Sequence, residues 1–274
     1  MATRSVLITG CSSGMGQEAA RGLKQRGYRV FATARKKQDV ESLEAEGFEA
    51  CQLDLADSGS ICRAVDWVLE RTGGTLYGLF NNAAYGQPGA VEDLSRDVLR
   101  QQFETNVFGT HELTVKLIPV MRKQGYGRII QNSSMLGFVT FPYNGAYCAT
   151  KYALESLSDA LRLELKGSGI YVSIIEPGPI ETKFRESAFA AYKDNINAVE
   201  SDNRKVYKAR QERFSNKIPF ILPASSVVPK VIHALESDSP KARYPLTVPT
   251  YLFAYLKRIL PTWALDYVLR KAAG

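Results

Sequence analysis

The stretch that most constrains the fold is a glycine-rich turn between the first predicted strand and the first predicted helix. The sequence predicts short apolar strands over residues 5–9 and 29–34 with one amphipathic helix between them, and the turn before that helix holds Gly10, Gly14 and Gly16. In a β-α-β unit of this kind, the backbone of the turn approaches a pyrophosphate and the helix N-terminus presents free N–H groups to it. A turn that needs glycine only for positive φ is the alternative. We therefore predict a dinucleotide site, with the spacing G-x-x-x-G-x-G.

Predicted strands and helices alternate along the rest of the chain. Further strands are predicted over residues 49–53, 78–82, 128–133, 171–176 and 242–248, and helices over residues 38–46, 58–71, 96–123, 147–166 and 223–237. This alternation is typical of a doubly wound α/β fold with a parallel sheet. We predict a single Rossmann-like domain with seven parallel strands flanked by helices and a C-terminal helical extension. Residues 1–184 would form its dinucleotide-binding and catalytic core, residues 185–222 a substrate-binding lid, and residues 223–274 the remainder of the same domain.

Composition excludes several other classes of protein. The 274 residues are 45% hydrophobic and 23% charged, and no apolar run reaches the ~18 residues of a membrane-spanning helix. The apolar part of the N-terminus is too short for a secretory signal, so we expect a cytoplasmic protein. Four cysteines without paired spacing are predicted to be reduced thiols. Two histidines without neighbouring ligands predict no metal site, and the hydrolase motif G-x-S-x-G is absent.

The net charge of +7 is concentrated in the last quarter of the chain. Residues 200–274 carry 13 Lys and Arg against 6 Asp and Glu, whereas residues 1–199 carry 22 of each sign. No nucleic-acid-binding motif accompanies this charge, so we predict no nucleic-acid partner.

The residues that follow the second strand indicate which dinucleotide binds. An acidic residue at this point accepts hydrogen bonds from the ribose hydroxyls of NAD, but this chain has Arg35, Lys36 and Lys37. A guanidinium suits a 2′-phosphate and stacks on adenine. We therefore predict NADP(H) as the cofactor, with Arg35 as the selecting residue. For Lys36 and Lys37, a solvated basic loop is the alternative.

Further candidate site residues follow the third and fourth predicted strands or interrupt a helix. Asp54 and Leu55 follow the third strand, and Asn82 and Ala83 end the fourth, at the edge where parallel sheets bind ligands. Asp54 either meets the adenine amino group or caps the following helix. Asn106 lies in the middle of a long predicted helix, where asparagine is a poor helix former unless its side chain or a local backbone irregularity is used.

Ser134, Tyr147 and Lys151 supply the groups that proton transfer requires. Tyr147 and Lys151 are four residues apart in a strong helical pattern, so both lie on one helix face. An adjacent ammonium favours the phenolate and lowers the pKa of a phenol. Ser134 follows the fifth predicted strand, from which its hydroxyl would orient a carbonyl against the phenol. For this short motif alone, a packed tyrosine and a solvated lysine are the alternative.

Together these motifs resemble the short-chain dehydrogenase/reductase family over roughly the first 185 residues. T-G-C-S-S-G-M-G resembles the family's cofactor turn, N-N-A its fourth-strand motif, and P-G the turn after its sixth strand. The positions that match the family's catalytic tetrad are Asn106, Ser134, Tyr147 and Lys151. The cofactor contacts that the resemblance implies are Gly10, Ser12, Ser13, Gly14, Met15, Gly16, Arg35, Asp54, Leu55, Asn82, Ala83, Tyr147, Lys151, Pro177, Gly178, Ile180 and Thr182.

The resemblance also implies a role for each member of the tetrad. Tyr147 would be the general acid in reduction and the general base in oxidation. Lys151 would lower the pKa of Tyr147 and bind the nicotinamide ribose. Ser134 would hold the substrate oxygen, and Asn106 would keep a water in a proton relay to Lys151.

Two positions depart from the family pattern, and other motifs indicate a branch of the family. Ala84 replaces a glycine, which would crowd the cofactor or the adjacent helix, and Met15 replaces a common isoleucine in what we expect to be packing. T-G-C-S-S-G, A-T-A-R and the C-terminal extension resemble the branch of bacterial aldehyde reductases, 17β-hydroxysteroid dehydrogenases and retinol dehydrogenases. Among these, the bacterial NADP-dependent aldehyde reductases are the most similar.

The activity that this resemblance implies is hydride transfer between NADP(H) and an apolar aldehyde or ketone, or the matching alcohol. A hydroxysteroid or retinol dehydrogenase of the same family is one alternative. A dinucleotide-sensing binding protein without turnover is another, although every tetrad position is filled.

The C-terminal third is expected to shape the substrate pocket. The aromatic residues of this part predict either an apolar pocket or ordinary packing, and they are Phe184, Phe189, Tyr192, Tyr207 and Phe214. The aromatic and basic tail, residues 248–274, is expected to pack on its own body or on a partner subunit, with peripheral membrane contact less favoured. The resemblance implies a homodimer through the helices predicted over residues 96–123 and 147–166.

Overall fold

Seven parallel strands form the central sheet, as predicted. The computed structural model describes residues 4–212 and 219–273. The strands are β1 (Ser5–Ile8), β2 (Arg29–Ala34), β3 (Glu49–Gln52), β4 (Gly78–Asn81), β5 (Gly127–Asn132), β6 (Ile170–Glu176), β7 (Ile180–Glu181), β8 (Leu222–Pro223) and β9 (Arg243–Pro245). Their order in the sheet is β3-β2-β1-β4-β5-β6-β9, while β7 and β8 form a separate parallel pair. The strand order reverses between β1 and β4, so a ligand crevice opens at their carboxyl ends.

Helices cover both faces of this sheet. They are α1 (Gly14–Gln25), α2 (Lys37–Ala45), α3 (Ser58–Thr72), α4 (Arg96–Phe103), α5 (Thr110–Gln124), α6 (Gly145–Glu164), α7 (Phe184–Asn195), α8 (Arg204–Glu212), α9 (Val228–Glu236), α10 (Val248–Ile259) and α11 (Thr262–Ala273). Over residues 4–212 and 219–273, no helix has the length and apolar character needed to cross a membrane.

Side-chain alternation along the strands divides the core into two layers. On β1, Val6 and Ile8 pack into the layer that contains α1 and α9, while Leu7 points to the layer of α3 and α5. All three side chains are fully buried. A sheet buried on both faces explains why the strands read as continuous apolar runs. The polar residues that follow those runs are therefore left at the carboxyl edge of the sheet.

The long helix predicted over residues 96–123 is interrupted. A single π-helical turn, Glu104–Gly109, separates α4 from α5 and contains Asn106. Of the two alternatives considered for this asparagine, the backbone irregularity is therefore present. Gly109 at the end of the turn lies against the α3 side of the sheet, where a Cβ would stand 1.8 Å from the Leu55 carbonyl oxygen. This close approach requires glycine at position 109.

The C-terminal third contains more regular structure than the sequence indicated. Residues 185–222 lack a clear period, yet they contain most of α7 and all of α8, and β8 pairs with β7 through Ile180 and Leu222. The seventh sheet strand was predicted over residues 242–248 but spans only Arg243–Pro245, because Thr247 already lies at the N-terminus of α10. Phe214 lies outside the described residues.

Candidate active site

Ser134 is positioned by the end of β5. The strand stops at Asn132, and Ser134 begins a short 3-10 turn, Met135–Gly137, in which its Oγ accepts a 3.1 Å hydrogen bond from the Leu136 N–H. The same hydroxyl lies 3.4 Å from the Pro177 carbonyl oxygen, to which it donates. These contacts fix the serine at the carboxyl edge of the sheet.

Tyr147 and Lys151 lie one turn apart on the first half of α6. Both side chains are buried, and the Lys151 Nζ atom is 5.6 Å from the centre of the Tyr147 ring. The hydroxyl of Ser134 is near enough to the phenol of Tyr147 to lower the pKa of the phenol, against the effect of burial. The structure therefore brings the predicted hydroxyl, phenol and amine together in one place. A phenol and a hydroxyl in contact can jointly bind the oxygen of a carbonyl or an alcohol.

The lowered pKa that we expected for Tyr147 is not found in this structure. Burial raises the pKa of Tyr147 well above its ordinary value, and only the Ser134 hydrogen bond opposes this. Burial also lowers the pKa of Lys151 to about 8, with Glu155 as the opposing influence. Tyr147 is thus a neutral phenol at pH 7, which is the form that can donate a proton.

A chain of hydrogen bonds links Lys151 to the glycine-rich turn. Lys151 Nζ donates a 2.7 Å hydrogen bond to the Asn132 carbonyl oxygen, and the Asn132 amide donates to Asn82 Oδ1 at 3.0 Å. The Asn82 amide in turn donates to the carbonyl oxygens of Thr9, at 2.9 Å, and Gly10, at 3.1 Å. The predicted cofactor turn and the predicted catalytic helix therefore share one rigid polar network, which also holds the main chain of Ala83 through the Thr9 hydroxyl.

Asn106 uses its side chain to hold the segment after β4. Its Oδ1 accepts a 3.2 Å hydrogen bond from the Tyr85 N–H, and its Nδ2 donates to the Tyr85 carbonyl oxygen at 2.9 Å and to Thr150 Oγ1 at 3.2 Å. The asparagine is almost completely buried. The side-chain amide thus ties the β4 end to α6, and its polar atoms already have protein partners.

The glycine-rich turn has the geometry of a phosphate cradle. Gly10 and Gly14 have φ values of 72° and 62°, and a Cβ on Gly16 would lie 2.2 Å from the Gly10 carbonyl oxygen. Ser13 precedes α1 in an extended conformation, and its side chain makes no capping hydrogen bond. The first N–H groups of α1 are thus available, and Ser12 beside them is exposed. These residues fit the pyrophosphate of a dinucleotide.

Arg35 and Asp54 stand at the outer side of this crevice. Arg35 follows β2 and is exposed to solvent. Burial raises the pKa of Tyr85, and the positive charge of Arg35 acts in the opposite direction. Asp54 Oδ1 accepts a 3.0 Å hydrogen bond from the Ala56 N–H. The capping role considered for Asp54 is wrong, because Asp57 caps α3 by accepting from the Gly59 N–H at 2.8 Å. Leu55 has a buried side chain, and its carbonyl oxygen lies against Gly109.

The turn after β6 closes the other side of the crevice. The Pro177 carbonyl oxygen accepts a 2.8 Å hydrogen bond from the Met135 N–H, and a Cβ on Gly178 would lie 2.1 Å from Thr247 Oγ1. Ile180 packs partly into the core. Thr182 lies against the glycine-rich turn, since a Cβ on Gly14 would be 2.9 Å from its Cγ2 atom. The predicted residues of this turn therefore lie beside the cradle.

Neither departure from the family pattern strains the backbone. Ala84 is not among the residues with positive φ; within the described chain, the only such residues besides glycine are Tyr143 and Phe220. Met15 packs against the core layer of α1, as expected. An alanine at position 84 therefore needs no unusual conformation.

The lid aromatics divide into two groups. Phe184 contacts Tyr147, with 5.2 Å between the two ring centres. Tyr192 and Tyr207 are buried in a separate cluster, and the Tyr207 hydroxyl binds Asp93. For these two tyrosines, ordinary packing is the better interpretation, whereas Phe184 lines the site. Phe189 stacks on Tyr192 and belongs to the same cluster.

A partly buried ionic cluster behind the site was not predicted. Arg243 of β9 donates to Glu155 at 3.0 Å and to Asp159 at 2.6 Å, both on α6, and forms a 3.2 Å ion pair with Glu176 of β6. Glu155 lies one turn after Lys151, on the same helix face. The spacing of Lys151 and Glu155 was the only signal of this cluster that the sequence offered. Its arginine could not be found in this way, because it lies 88 residues further along the chain than Glu155.

The comparison with known proteins identifies the family. Residues 4–193 match the family described as short chain dehydrogenase. The chain therefore belongs to the short-chain dehydrogenase/reductase family, in agreement with the Rossmann-like fold and the resemblance found in the sequence. This family consists of oxidoreductases.

Individual relatives are similar over nearly the whole chain. The protein called uncharacterized oxidoreductase YbbO, from Escherichia coli strain K12, is 46% identical over 267 residues, covering 97% of this chain and 94% of that protein. 17-beta-hydroxysteroid dehydrogenase type 6 of Bos taurus is 33% identical over 280 residues, covering 97% and 88%. NADPH-dependent 3-dehydrocapnine reductase of Ornithobacterium rhinotracheale is 32% identical over 280 residues, covering 98% and 96%. The similarity thus includes the hydroxysteroid dehydrogenase branch.

Solved structures share the fold. A short-chain dehydrogenase from Streptomyces avermitilis has a TM-score of 0.78 at 30% identity, covering 97% of this chain and 94% of that one. A short-chain dehydrogenase/reductase from Burkholderia phymatum in complex with NAD has a TM-score of 0.80 at 22% identity, covering 98% and 95%. The architecture, including the C-terminal helices, is thus that of the family.

Proposed function

We propose that this protein transfers hydride between NADP(H) and an apolar aldehyde or ketone, or the matching alcohol, with Tyr147 as the general acid and base. The observation that carries this proposal is the contact of Ser134, Tyr147 and Lys151 at the sheet edge, joined by hydrogen bonds to the glycine-rich cradle. Because the same network positions both, a substrate carbonyl at Ser134 and Tyr147 would lie beside the bound dinucleotide.

The nicotinamide ring supplies the hydride chemistry when the cofactor is bound. In carbonyl reduction, Ser134 and the neutral phenol of Tyr147 bind the substrate oxygen, and Tyr147 donates its proton as negative charge develops there. In alcohol oxidation the same phenol oxygen accepts the proton. Lys151 stabilises the tyrosinate that remains after proton donation, because an ammonium that is buried beside it interacts strongly with a negative charge.

The proton lost by Tyr147 has to be replaced from solvent. Lys151, whose pKa is lowered to about 8 by burial, can exchange a proton near neutral pH. We place a relay water at the π-helical turn that contains Asn106. The Asn106 side chain is occupied by Tyr85 and Thr150, so the main chain of the turn would hold that water.

The charge pattern after β2 supports NADP(H) over NAD(H). Arg35 is the first residue after the strand and is free to meet a 2′-phosphate, and no acidic residue replaces it. Among the relatives, the Ornithobacterium enzyme is called NADPH-dependent, whereas the Burkholderia structure contains NAD. Both cofactors thus occur in the family, and Arg35 is the residue on which our choice rests. We place Asp54 near the adenine amino group.

The aromatic surroundings of Tyr147 support an apolar substrate. Phe184 lies against the phenol ring, and we propose that α7 and α8, within residues 185–222, form the lid over the pocket. Tyr207 fastens this lid to the body by its hydrogen bonds with Asp93 and the Ala90 N–H, the latter 2.8 Å long. The 33% identity to 17-beta-hydroxysteroid dehydrogenase type 6 makes a hydroxysteroid or retinol substrate the alternative.

We also propose a homodimer and a cytoplasmic location. Large apolar side chains on the π-helical turn, α5 and α6 are exposed, namely Phe108, Val115, Leu157 and Leu163. Pairing of these helices in a second copy would bury them. All four cysteines are free thiols, which suits a reducing compartment.

A turnover assay with two cofactors tests this proposal. NADPH and NADH are each offered with medium-chain aldehydes, retinal and steroid ketones, and oxidation of the dinucleotide is followed by fluorescence. We expect NADPH oxidation, fastest with an aldehyde. A steroid or retinal as the fastest substrate would establish the alternative branch. NADPH binding without turnover of any substrate would instead favour a dinucleotide-sensing protein.

A further inference from the structure

The last two helices pack on the segment that follows Ser134. On their inner faces, Phe253, Leu256 and Leu269 join Met135 and Val139 in one apolar cluster. The rings of Phe141 and Phe253 meet edge to face at 5.7 Å, and the Lys257 ammonium donates to the Phe138 carbonyl oxygen. The inner faces of α10 and α11 are therefore buried against the segment that follows Ser134.

The outer face of α10 is also apolar. Five large side chains on it are between 50% and 63% exposed, namely Val248, Tyr251, Leu252, Tyr255 and Ile259. Their spacing of three, four and seven residues places them in one stripe, on the face opposite the buried Phe253. The helix is therefore apolar on two opposite faces, and the protein itself buries only one of them.

The outer face of α11 combines aromatic and basic groups. Trp263, Tyr267, Arg270 and Lys271 follow helical spacing on one face, opposite the buried Leu269. Trp263 is 77% exposed, and Lys271 Nζ lies 4.6 Å from the centre of the Tyr267 ring. Indole and phenol groups beside basic residues are typical of side chains at the level of lipid headgroups.

This helix pair carries an excess of positive charge. The two helices contain one acidic residue, Asp266, and four basic residues, Lys257, Arg258, Arg270 and Lys271. Within residues 4–212 and 219–273, none of these four basic side chains forms an ion pair with a carboxylate. The apolar stripe is thus accompanied by free positive charge, which complements an anionic surface.

We propose that the outer faces of α10 and α11 bind the surface of a membrane that contains anionic lipids. The apolar stripe of α10 and Trp263 would enter the headgroup boundary, while Arg258, Arg270 and Lys271 would contact lipid phosphates. A second copy of the chain is a poorer occupant, because a two-fold pairing of this surface would bring the same unpaired cations together.

The helices that carry this surface pack next to the proposed substrate site. The inner sides of both helices contact Met135 and its neighbours, directly after Ser134. A protein bound in this way would hold its pocket next to the phase in which apolar aldehydes and ketones dissolve. The membrane inference goes beyond the proposed reaction and does not rest on it, since binding is measured without any substrate.

Tryptophan fluorescence tests the proposal directly. Of the two tryptophans, Trp263 is exposed on α11, whereas Trp67 packs edge to face on Phe31 at 5.6 Å. The full chain is mixed with vesicles of phosphatidylcholine, or of equal parts phosphatidylcholine and phosphatidylglycerol, and sedimented. We expect binding and a blue shift with the anionic vesicles alone, reversal by salt, and no shift in Trp263→Phe, in which only Trp67 reports.

Three variants separate the contributions. Arg270→Gln with Lys271→Gln should weaken binding about thirtyfold, since each basic residue near an anionic surface contributes about fivefold. Tyr255→Ser with Trp263→Ser should abolish binding. Val199→Ser, which removes an exposed apolar side chain outside both this surface and the proposed dimer interface, should bind as the unaltered protein does. Circular dichroism confirms that each variant is folded.

Two results would overturn the proposal. One is equal or absent binding to both kinds of vesicle. The other is an oligomer in lipid-free solution that dissociates in Tyr255→Ser with Trp263→Ser, because the surface would then belong to a second copy of the chain. Analytical ultracentrifugation of the same variants measures this second outcome.

Discussion

The ammonium of Lys151 donates a 2.7 Å hydrogen bond to the main-chain carbonyl of Asn132, the last residue of β5. This bond holds the catalytic helix to the strand that delivers Ser134, two residues further on. Asn132 also bonds Asn82, which holds the glycine-rich turn through its own amide. The glycine-rich turn, Ser134 and Lys151 are therefore held relative to one another by the ends of β4 and β5.

The burial of Lys151 should reduce the stability of the protein at neutral pH. Its pKa is lowered from 10.5 to about 8 by burial, so the unfolded chain binds more protons between those values and the unfolding free energy rises with pH across this window. We predict that Lys151→Met removes this rise and raises the unfolding free energy at pH 7 by about 2 kcal/mol, while turnover is lost. Urea unfolding at pH 7 and pH 10 measures the effect.

Lys166→Met is the matched control for that prediction. Lys166 is exposed just after α6, so its replacement should change the unfolding free energy by less than about 0.5 kcal/mol at either pH. A Lys151→Met protein that is less stable at pH 7 would mean that the hydrogen bond to Asn132 outweighs the burial of the charge.

Arg35 should select the cofactor. We predict that Arg35→Glu weakens NADPH binding about 10- to 100-fold, because a charge-assisted contact with the 2′-phosphate is lost and repulsion is added. NADH lacks that phosphate, so its affinity should stay within a few-fold. Dissociation constants of both dinucleotides follow from titration of their fluorescence with the protein.

Lys37→Glu makes the same change of charge two residues away, at the start of α2. We expect it to alter NADPH affinity less than about threefold, as a screened surface charge does. If the two variants weaken NADPH binding equally, the basic segment acts through its total positive charge, and Arg35 does not make the specific contact with the 2′-phosphate.

Glu176 should make stability fall as the pH rises. Burial, with Glu155 as the next influence, raises the pKa of Glu176 from 4.5 to about 7 in the folded protein, despite Arg243 beside it. The folded state therefore binds more protons than the unfolded state between these values, and the stabilisation present below pH 4.5 is lost as the pH passes 7. We predict that Glu176→Gln is neutral near pH 4.5 and stabilising by about 2 kcal/mol at pH 8.

Unfolding by urea at the two pH values checks this prediction, with Glu164→Gln at the exposed end of α6 as the control. The unfolding free energy of the control should differ from that of the unaltered protein by the same amount at both pH values. Destabilisation of Glu176→Gln at pH 8 would show that the ion pair with Arg243 outweighs the cost of burial.

The fold was predictable because its signals are local. A strand that is buried on both faces is a continuous apolar run, as in β1, and a glycine-rich turn such as that at Gly10 requires a specific backbone. Asn106 is similar, since a poor helix former in mid-helix indicated either use of its side chain or a backbone irregularity, and the structure contains both. The predicted family membership rests on such local motifs and is confirmed.

The parts that were missed depend on contacts between distant residues. Asp54 and Asp57 are both suitable caps for α3, and only the turn geometry gives that role to Asp57. The pKa of Tyr147 was expected to be lowered by its neighbour four residues away, but its burial by the whole fold raises it. The Arg243 cluster and the β7–β8 pair likewise join segments that have no relation in sequence.

The measurement that most directly tests this account is the turnover of NADPH and an aldehyde by Tyr147→Phe. The phenylalanine keeps the ring beside Phe184 but removes the proton, so we predict a loss of turnover of about 10²- to 10⁴-fold with NADPH affinity unchanged within about twofold. Tyr152→Phe, one residue after Lys151 on the same helix, should retain activity. Turnover by Tyr147→Phe within about tenfold of the unaltered protein would contradict the assignment of Tyr147 as the proton donor.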